Sequence, residues 1–313
     1  MSTEAMELSR RLAGVRALLL DMDGVLILRG EPIAGAAEAL AALDARGFPY
    51  LLATNTSLVS RATLARDLGS VGLAVGADRI VTAASAAAAH VRRRFGGERM
   101  YVMATPDARD EFEGLRLLSN EEAAYPGARA AVVVVGDAGQ DFTPRNLQSA
   151  FTLLRGGARF VAMHKNRWWL TPAGPTLDSG GYVVALEYVT QRRALVVGKP
   201  SRPFFAEGVR RLDEMVAAAG GRPLAPGEVA MVGDDLWNDI RGAQRAALRG
   251  VFVRSGKHGD AELAKAVSER GGGPPDAVAP SIVEVVAALV DSAEARGGGR
   301  RSGPERSLEV GVD

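Results

Sequence analysis

The stretch Ala17-Leu18-Leu19-Leu20-Asp21-Met22-Asp23-Gly24-Val25 decides the fold. Its first four residues are a short apolar run of the kind that makes a buried parallel strand. Two carboxylates follow at the carboxyl end of that strand, where open α/β sheets place their ligand sites. Residues i and i+2 of a strand point the same way, and Gly24 lets the chain turn there. Asp21 and Asp23 can therefore face one small polar cleft from adjacent sides. Two carboxylates that close repel each other. A divalent cation relieves the repulsion, and hard oxygen ligands suit Mg2+. Taken by itself, the stretch reads equally as a strand that ends in an Asp-Gly turn.

Three further strand ends follow in order. Tyr50-Leu51-Leu52-Ala53-Thr54-Asn55-Thr56-Ser57 is a second apolar run, ending in a hydroxyl and an amide that can donate to phosphate oxygens. The same residues could also start the helix expected near Arg61 to Leu68. In Ala194-Leu195-Val196-Val197-Gly198-Lys199-Pro200 a lysine leaves a strand end beside a glycine and a proline. In Glu228-Val229-Ala230-Met231-Val232-Gly233-Asp234-Asp235, continued by Asn238-Asp239, another strand ends in a carboxylate cluster, with an amphipathic helix behind it. Each piece alone is a common turn, cap or surface group. Coincidence is a poor account of all four.

The series resembles the haloacid dehalogenase superfamily of phosphohydrolases. Its pattern is an Asp-x-Asp-Gly strand end, a Thr/Ser strand end, a Lys, and a Gly-Asp-Asp or Gly-Asp-x-x-x-Asp strand end. The likeness spans Arg16 to Leu289. The long separation of Thr54 from Lys199 is similar to the subfamily with a large α/β cap inserted there, which includes pyridoxal, phosphoglycolate and nitrophenyl phosphatases. Phe160 to Arg167 and Ala185 to Thr190 most resemble the phospholysine phosphohistidine inorganic pyrophosphate phosphatase branch. Pyridoxal phosphatase-like members usually carry Thr-Asn and an Asp where this chain has His164-Lys165-Asn166.

The resemblance implies a doubly wound, Rossmann-like α/β core with an inserted α/β cap. It implies Asp21 as nucleophile and Asp23 as general acid and base. Mg2+ would be held by Asp21, the backbone carbonyl of Asp23, and Asp234. Thr54, Asn55 and Lys199 would bind phosphate oxygens, with Asp235 and Asp239 behind them orienting metal waters and pairing Lys199. In the cap, His164, Lys165, Asn166 and Trp168 would meet the substrate, and Gly180-Gly181 could offer amide donors at a helix start. Trp168 and Trp169 serve equally well to pack a domain or homodimer interface.

A coarse βα alternation runs along the chain. Helices are expected at Ala83 to Arg94, Thr143 to Leu154, Ser179 to Thr190, Pro203 to Ala219, Asn238 to Ala247, Asp260 to Glu269 and Ser281 to Leu289. Strands are expected at Arg79 to Val81, Arg99 to Ala104, Ala130 to Val135, Arg159 to Met163 and Val251 to Val253. This alternation divides the chain into a core of 1–82 and 195–291, a cap of 83–194, and a flexible tail of 292–313.

Composition narrows the function. The 313 residues suffice for two domains with real cores. A net charge of +1 supplies no global field for nucleic acid or anionic membrane. Cysteine is absent, which excludes disulfides and a cysteine-nucleophile phosphatase. Of His90, His164 and His258, none lies in an Arg-His-Gly context. Gly198-Lys199 runs into Pro200, so no Walker loop is formed. Met1 to Gly14 lacks an apolar signal region, and no apolar run approaches a membrane span, so a cytoplasmic enzyme is expected. The expectation is a Mg2+-dependent phosphatase of small phosphorylated metabolites. A dehalogenase would have little use for Asp23 and Asp234, a phosphomutase would keep both, and a catalytically silent interaction protein should have lost one.

Overall fold

The structure, a computed structural model, describes residues 2–171, 174–269 and 273–297. The chain enters a six-stranded sheet at its middle. Strand order is Ala277–Ala279, Arg249–Val253, Val229–Gly233, Ala17–Leu20, Tyr50–Thr54, Ile80–Thr82, and every neighbouring pair is parallel. Ala17–Leu20 lies between Val229–Gly233 and Tyr50–Thr54. The topology thus reverses at the first strand, and its carboxyl end opens into the crevice typical of such sheets.

The continuous apolar run is explained by burial on both faces. Leu18 and Leu20 pack on one side with Leu52, Val232 and Val251. Ala17 and Leu19 pack on the other with Leu51, Met231, Phe204 and Phe205. Side chains alternate along a strand, so a strand covered by helices on both faces cannot alternate apolar with polar. Truncating a fully buried leucine here to alanine would cost about 2–5 kcal/mol.

A second, five-stranded parallel sheet has the order Leu195–Val196, Arg159–Ala162, Val132–Val135, Arg99–Met103, Arg116–Leu117. The helix Ala83–Phe95 lies between the two sheets. It starts on a reciprocal cap between Thr82 and Ser85. Ala83, Ala84, Ala87 and Ala88 join the apolar cluster of the second sheet, and Ala86 joins that of the first. Alanine at these positions lets both bodies approach one helix closely.

Several expectations are corrected. Leu195–Val196 pairs in parallel with Arg159–Ala162, so this strand belongs to the five-stranded sheet. The chain reaches the six-stranded body only at Gly198-Lys199, and Lys199 stands on a connecting loop, not at the end of a core strand. Two residues of pattern could not say which sheet they would edge. The helix expected over Asn238 to Ala247 is a wide π-type turn, Leu236–Ile240, followed by the α-helix Arg241–Arg245. The last helix runs through Ile282–Gly297, well past Leu289 and into the segment expected to be flexible; residues 298–313 lie outside the described ones. The sequence reading also missed helices Thr3–Arg11 and Ala36–Ala45, and the antiparallel hairpin Trp168–Thr171 with Gly174–Leu177. Among the described residues, no helix is long and apolar enough to cross a membrane.

Candidate active site

Asp21 continues the first strand: its N–H donates to the Val232 carbonyl at 2.9 Å. The chain then turns tightly. The Met22 carbonyl accepts from Leu26 at 2.9 Å and from Ile27 at 3.0 Å, and Gly24 N–H donates to Ile27 at 2.7 Å. Gly24 has φ +77°, and a Cβ there would stand 2.3 Å from Asp234 Oδ2 and 2.8 Å from the Gly256 Cα. Both the left-handed backbone and the carboxylate behind it require glycine.

Lys199 is the centre of the charge arrangement. Its Nζ donates to Asp21 Oδ1 at 2.7 Å and to the Ala53 carbonyl at 2.9 Å, and lies 2.8 Å from Asp239 Oδ1. Burial works against the ammonium, but the Asp21 and Asp239 carboxylates outweigh it and hold its pKa above the ordinary lysine value. Asp239 is fully buried; burial and the charge of Asp21 push its pKa well up, against the pull of Lys199. These two directions describe one imbalance. A single buried ammonium faces more carboxylates than it can neutralise, and the most buried of them gives up its charge most readily.

Asp21, Asp234 and Asp239 present carboxylate oxygens within 4.8 Å of one another. Burial pushes Asp234 up to about 6, with help from the charges of Asp21 and Asp235, while the Lys257 N–H, donating to its Oδ2 at 2.7 Å, works the other way. An excess of buried negative charge on hard oxygen donors fits a divalent oxygen-seeking cation. Asp23 stands at the mouth with an accessible side chain; partial desolvation and the neighbouring Asp21 raise its pKa.

The remaining expected residues divide by what they touch. Thr54, buried at the end of its strand, accepts the Thr56 N–H on Oγ1 at 3.2 Å. Asn55 spends its amide on the backbone of Lys199: Nδ2 donates to the Lys199 carbonyl at 3.0 Å, and the Lys199 N–H donates to Oδ1 at 2.7 Å. Asp235 accepts the N–H groups of Trp237 and Asn238, both at 2.9 Å, and pairs with Lys257 Nζ at 2.8 Å. Despite burial, Lys257 and these amides bring it down to about 2. Asp235 therefore caps the turn that carries Asp239.

In the second body, His164 is buried and its Nε2 lies 2.8 Å from Ser57 Oγ. Lys165 Nζ donates to Glu187 Oε2 at 2.7 Å, so its charge is already matched. Asn166 acts through its backbone, receiving the Gly180 N–H at 3.0 Å, and the Gly181 N–H goes to Asp178 at 3.3 Å. The helix start thus offers neither of these amides to a ligand. Trp168 is 59% exposed. The side chains of Trp169 and Thr171 lie outside the described ones.

Sequence reasoning missed the loop after Arg249–Val253. Ser255 Oγ donates to the Gly24 carbonyl at 2.6 Å, and Gly256 and Lys257 pack against Asp234. Its one available signal was its position, just beyond the carboxyl end of a core strand.

Comparison with known proteins places this geometry. The family model for haloacid dehalogenase-like hydrolases matches residues 18–117, and a related HAD-like hydrolase model matches residues 196–285. Haloacid dehalogenase-like hydrolase domain-containing protein 2 of Bos taurus is 34% identical over 244 residues, covering 78% of this chain and 86% of the relative. The phospholysine phosphohistidine inorganic pyrophosphate phosphatase of Bos taurus is 36% identical over 253 residues, covering 79% of this chain and 86% of the relative. Among solved structures, the 4-nitrophenylphosphatase of Thermotoga maritima superposes with a TM-score of 0.75 at 27% identity, covering 89% of this chain and 99% of that one.

Proposed function

Because the chain belongs to the haloacid dehalogenase-like hydrolases, we propose that it is a Mg2+-dependent phosphatase of small phosphorylated metabolites, phosphate monoesters or phosphoanhydrides, working through an aspartyl phosphate. The observation that carries this reading is the meeting of Asp21, Lys199, Asp234 and Asp239 in one buried cluster at the carboxyl edge of the parallel sheet. Phosphatases among its relatives and structural neighbours support the same class.

In the first step a carboxylate oxygen of Asp21 attacks phosphorus in line with the leaving oxygen. The P–O bond to the leaving group breaks, and Asp23 gives that oxygen its proton. Its raised pKa suits an acid that must hold a proton until the bond breaks. In the second step Asp23, now a carboxylate, takes a proton from water. The water oxygen bonds phosphorus, the acyl phosphate bond breaks, and Asp21 returns with release of inorganic phosphate. Splitting the reaction in this way lowers each barrier. Lys199 and the Thr54 hydroxyl hold the non-bridging oxygens, where charge accumulates. Asn55 serves by holding Lys199. Mg2+ held by Asp21, the Asp23 carbonyl and Asp234 would neutralise the approaching anion. Asp235 and Asp239 support these groups from behind.

We assign residues 83–197 to the cap, three residues longer than the alternation suggests, and place the return to the core at Gly198. The test is phosphate release from 4-nitrophenyl phosphate by the wild type and by Asp21→Asn. Loss of a covalent nucleophile costs on the order of a million-fold in turnover. Near-normal release by the pure, folded mutant would refute the assignment.

A further inference from the structure

Residues 55–60, between the strand Tyr50–Thr54 and the helix Arg61–Ser70, form no helix or strand of their own. A segment of this kind takes its position from the side chains that hold it. Most of those holding this one come from the second body. Thr105 Oγ1 donates to the Leu58 carbonyl at 2.6 Å, and Asp107 receives the Ser60 N–H at 3.0 Å and the Ser60 hydroxyl at 2.9 Å. Glu111 receives the Arg61 N–H at 2.7 Å. Nearer Thr54, the Thr56 carbonyl receives the Ala83 N–H at 3.2 Å and Asn55 holds Lys199; the side-chain link from the second body that comes nearest is the one at Ser57.

That link has a defined direction. His164 is 3% exposed and follows the strand Arg159–Ala162. Its Nδ1 accepts the Asn166 N–H at 3.3 Å, with Ser179 Oγ at 3.4 Å. A neutral imidazole carries one ring proton, so an accepting Nδ1 puts that proton on Nε2. Nε2–H then donates to Ser57 Oγ at 2.8 Å, and the same oxygen takes the Asp137 N–H at 3.0 Å. Asp178 Oδ1 lies 3.8 Å from Nε2, beyond hydrogen-bond reach. Beside it, the Met163 carbonyl receives the Gly198 N–H at 2.6 Å, next to Lys199.

We infer that His164 is a positioning residue: its Nε2–H bond to Ser57 clamps the Thr54–Ser57 segment to the second body and thereby sets where the phosphate-holding hydroxyl of Thr54 stands. Neither ring nitrogen of His164 is free for a substrate, so its influence on turnover passes through Ser57. The inference rests on the phosphatase reading of the cleft. Turnover is sensitive to misplacement on this scale, since about 1 Å can cost on the order of a hundredfold.

The experiment measures kcat and KM for 4-nitrophenyl phosphate with Mg2+ in wild type, His164→Leu, Ser57→Ala, the double variant and His164→Gln, each checked by thermal melting. Removing either partner should lower kcat by about ten- to a hundredfold. The double variant should be no worse than the poorer single one, because the two act as a unit. His164→Gln keeps an N–H at the distance of Nε2 and should restore kcat to within about threefold of wild type, even where it melts earlier, which a merely structural role would not give. Parental kcat in folded His164→Leu overturns the positioning role and leaves the phosphatase reading intact. No phosphate release by the wild type overturns both.

Discussion

The side-chain amide of Asn55 grips both backbone polar groups of Lys199, at 3.0 Å to its carbonyl and 2.7 Å from its N–H, across 144 residues of sequence. One amide thus ties the segment after the Thr54 strand to the loop that returns from the second sheet. The ammonium of Lys199 reaches Asp21 and Asp239 from a backbone held in this way.

Asn55→Ala should therefore impair turnover through the loss of its hold on Lys199. Two hydrogen bonds are lost, each worth about 1 kcal/mol net. The expected result is a fall in kcat of about ten- to a hundredfold. Steady-state kinetics on an aryl phosphate provide the check, and an unchanged kcat would show that Lys199 holds its place without this grip.

The two adjacent carboxylates Asp234 and Asp235 should separate cleanly. Asp234 faces Asp21 and Asp239, whereas Asp235 caps the turn of Leu236–Ile240. Activity should vanish in chelator and return with Mg2+ in the wild type. Asp234→Ala should raise the Mg2+ needed for half-activity far more than Asp235→Ala does. Asp235→Ala should instead cost about 0.5–2 kcal/mol of stability as a lost cap. Magnesium titrations paired with urea melts decide; the opposite ranking, or full activity in chelator, contradicts the assignment.

His164 should contribute a loss of stability on mild acidification, opposite in sign to the raised Asp234 and Asp239 carboxylates. Burial is the main cause of its lowered pKa, only partly opposed by Asp178 and Asp137. Above the ordinary value of 6.5, folded and unfolded chains both hold it neutral, and its full contribution is present. As the pH drops through 6.5 toward the folded value, the unfolded chain takes up a proton that the folded chain refuses, and stability is lost. The slope from one such group approaches about 1.4 kcal/mol per pH unit. His90 and His258 shift in the same direction, so the comparison must be made against His164→Gln. Urea melts from pH 7.5 to 5 should show a shallower pH dependence in that variant, and parallel curves would remove His164 from the account.

Lys165 and Trp168 should behave differently from each other. Lys165 is matched by Glu187, which also receives the Ala194 N–H at 2.9 Å. Lys165→Ala should cost about 1 kcal/mol or less in stability and leave substrate ranking unchanged. Trp168 stands exposed opposite Leu177 in the hairpin. Trp168→Ala should raise KM for metabolites with large leaving groups more than it slows an aryl phosphate, the mark of lost leaving-group binding. A shift in sedimentation with unchanged KM would instead assign Trp168 to contact between two copies of the chain.

Part of this protein was determined by local pattern. The runs Ala17–Leu20, Tyr50–Thr54 and Val229–Gly233 are apolar throughout because both faces of their sheet are covered. The polar residues that end them had to emerge on one edge, since parallel strands all finish on the same side. Asp21, Thr54 and Asp234 were therefore legible as neighbours on one sheet edge from the sequence alone. Lys199 was legible only as a type, because the strand before it, Leu195–Val196, edges the other sheet. Which polar group meets which was decided by tertiary structure. Asn55 holds Lys199, His164 holds Ser57, and Glu187 matches Lys165. An amide, an imidazole or an ammonium satisfies many partners equally well, and nothing in its own sequence neighbourhood selects one. The choice falls to whichever group the packing of two sheets around the helix Ala83–Phe95 brings within about 3 Å.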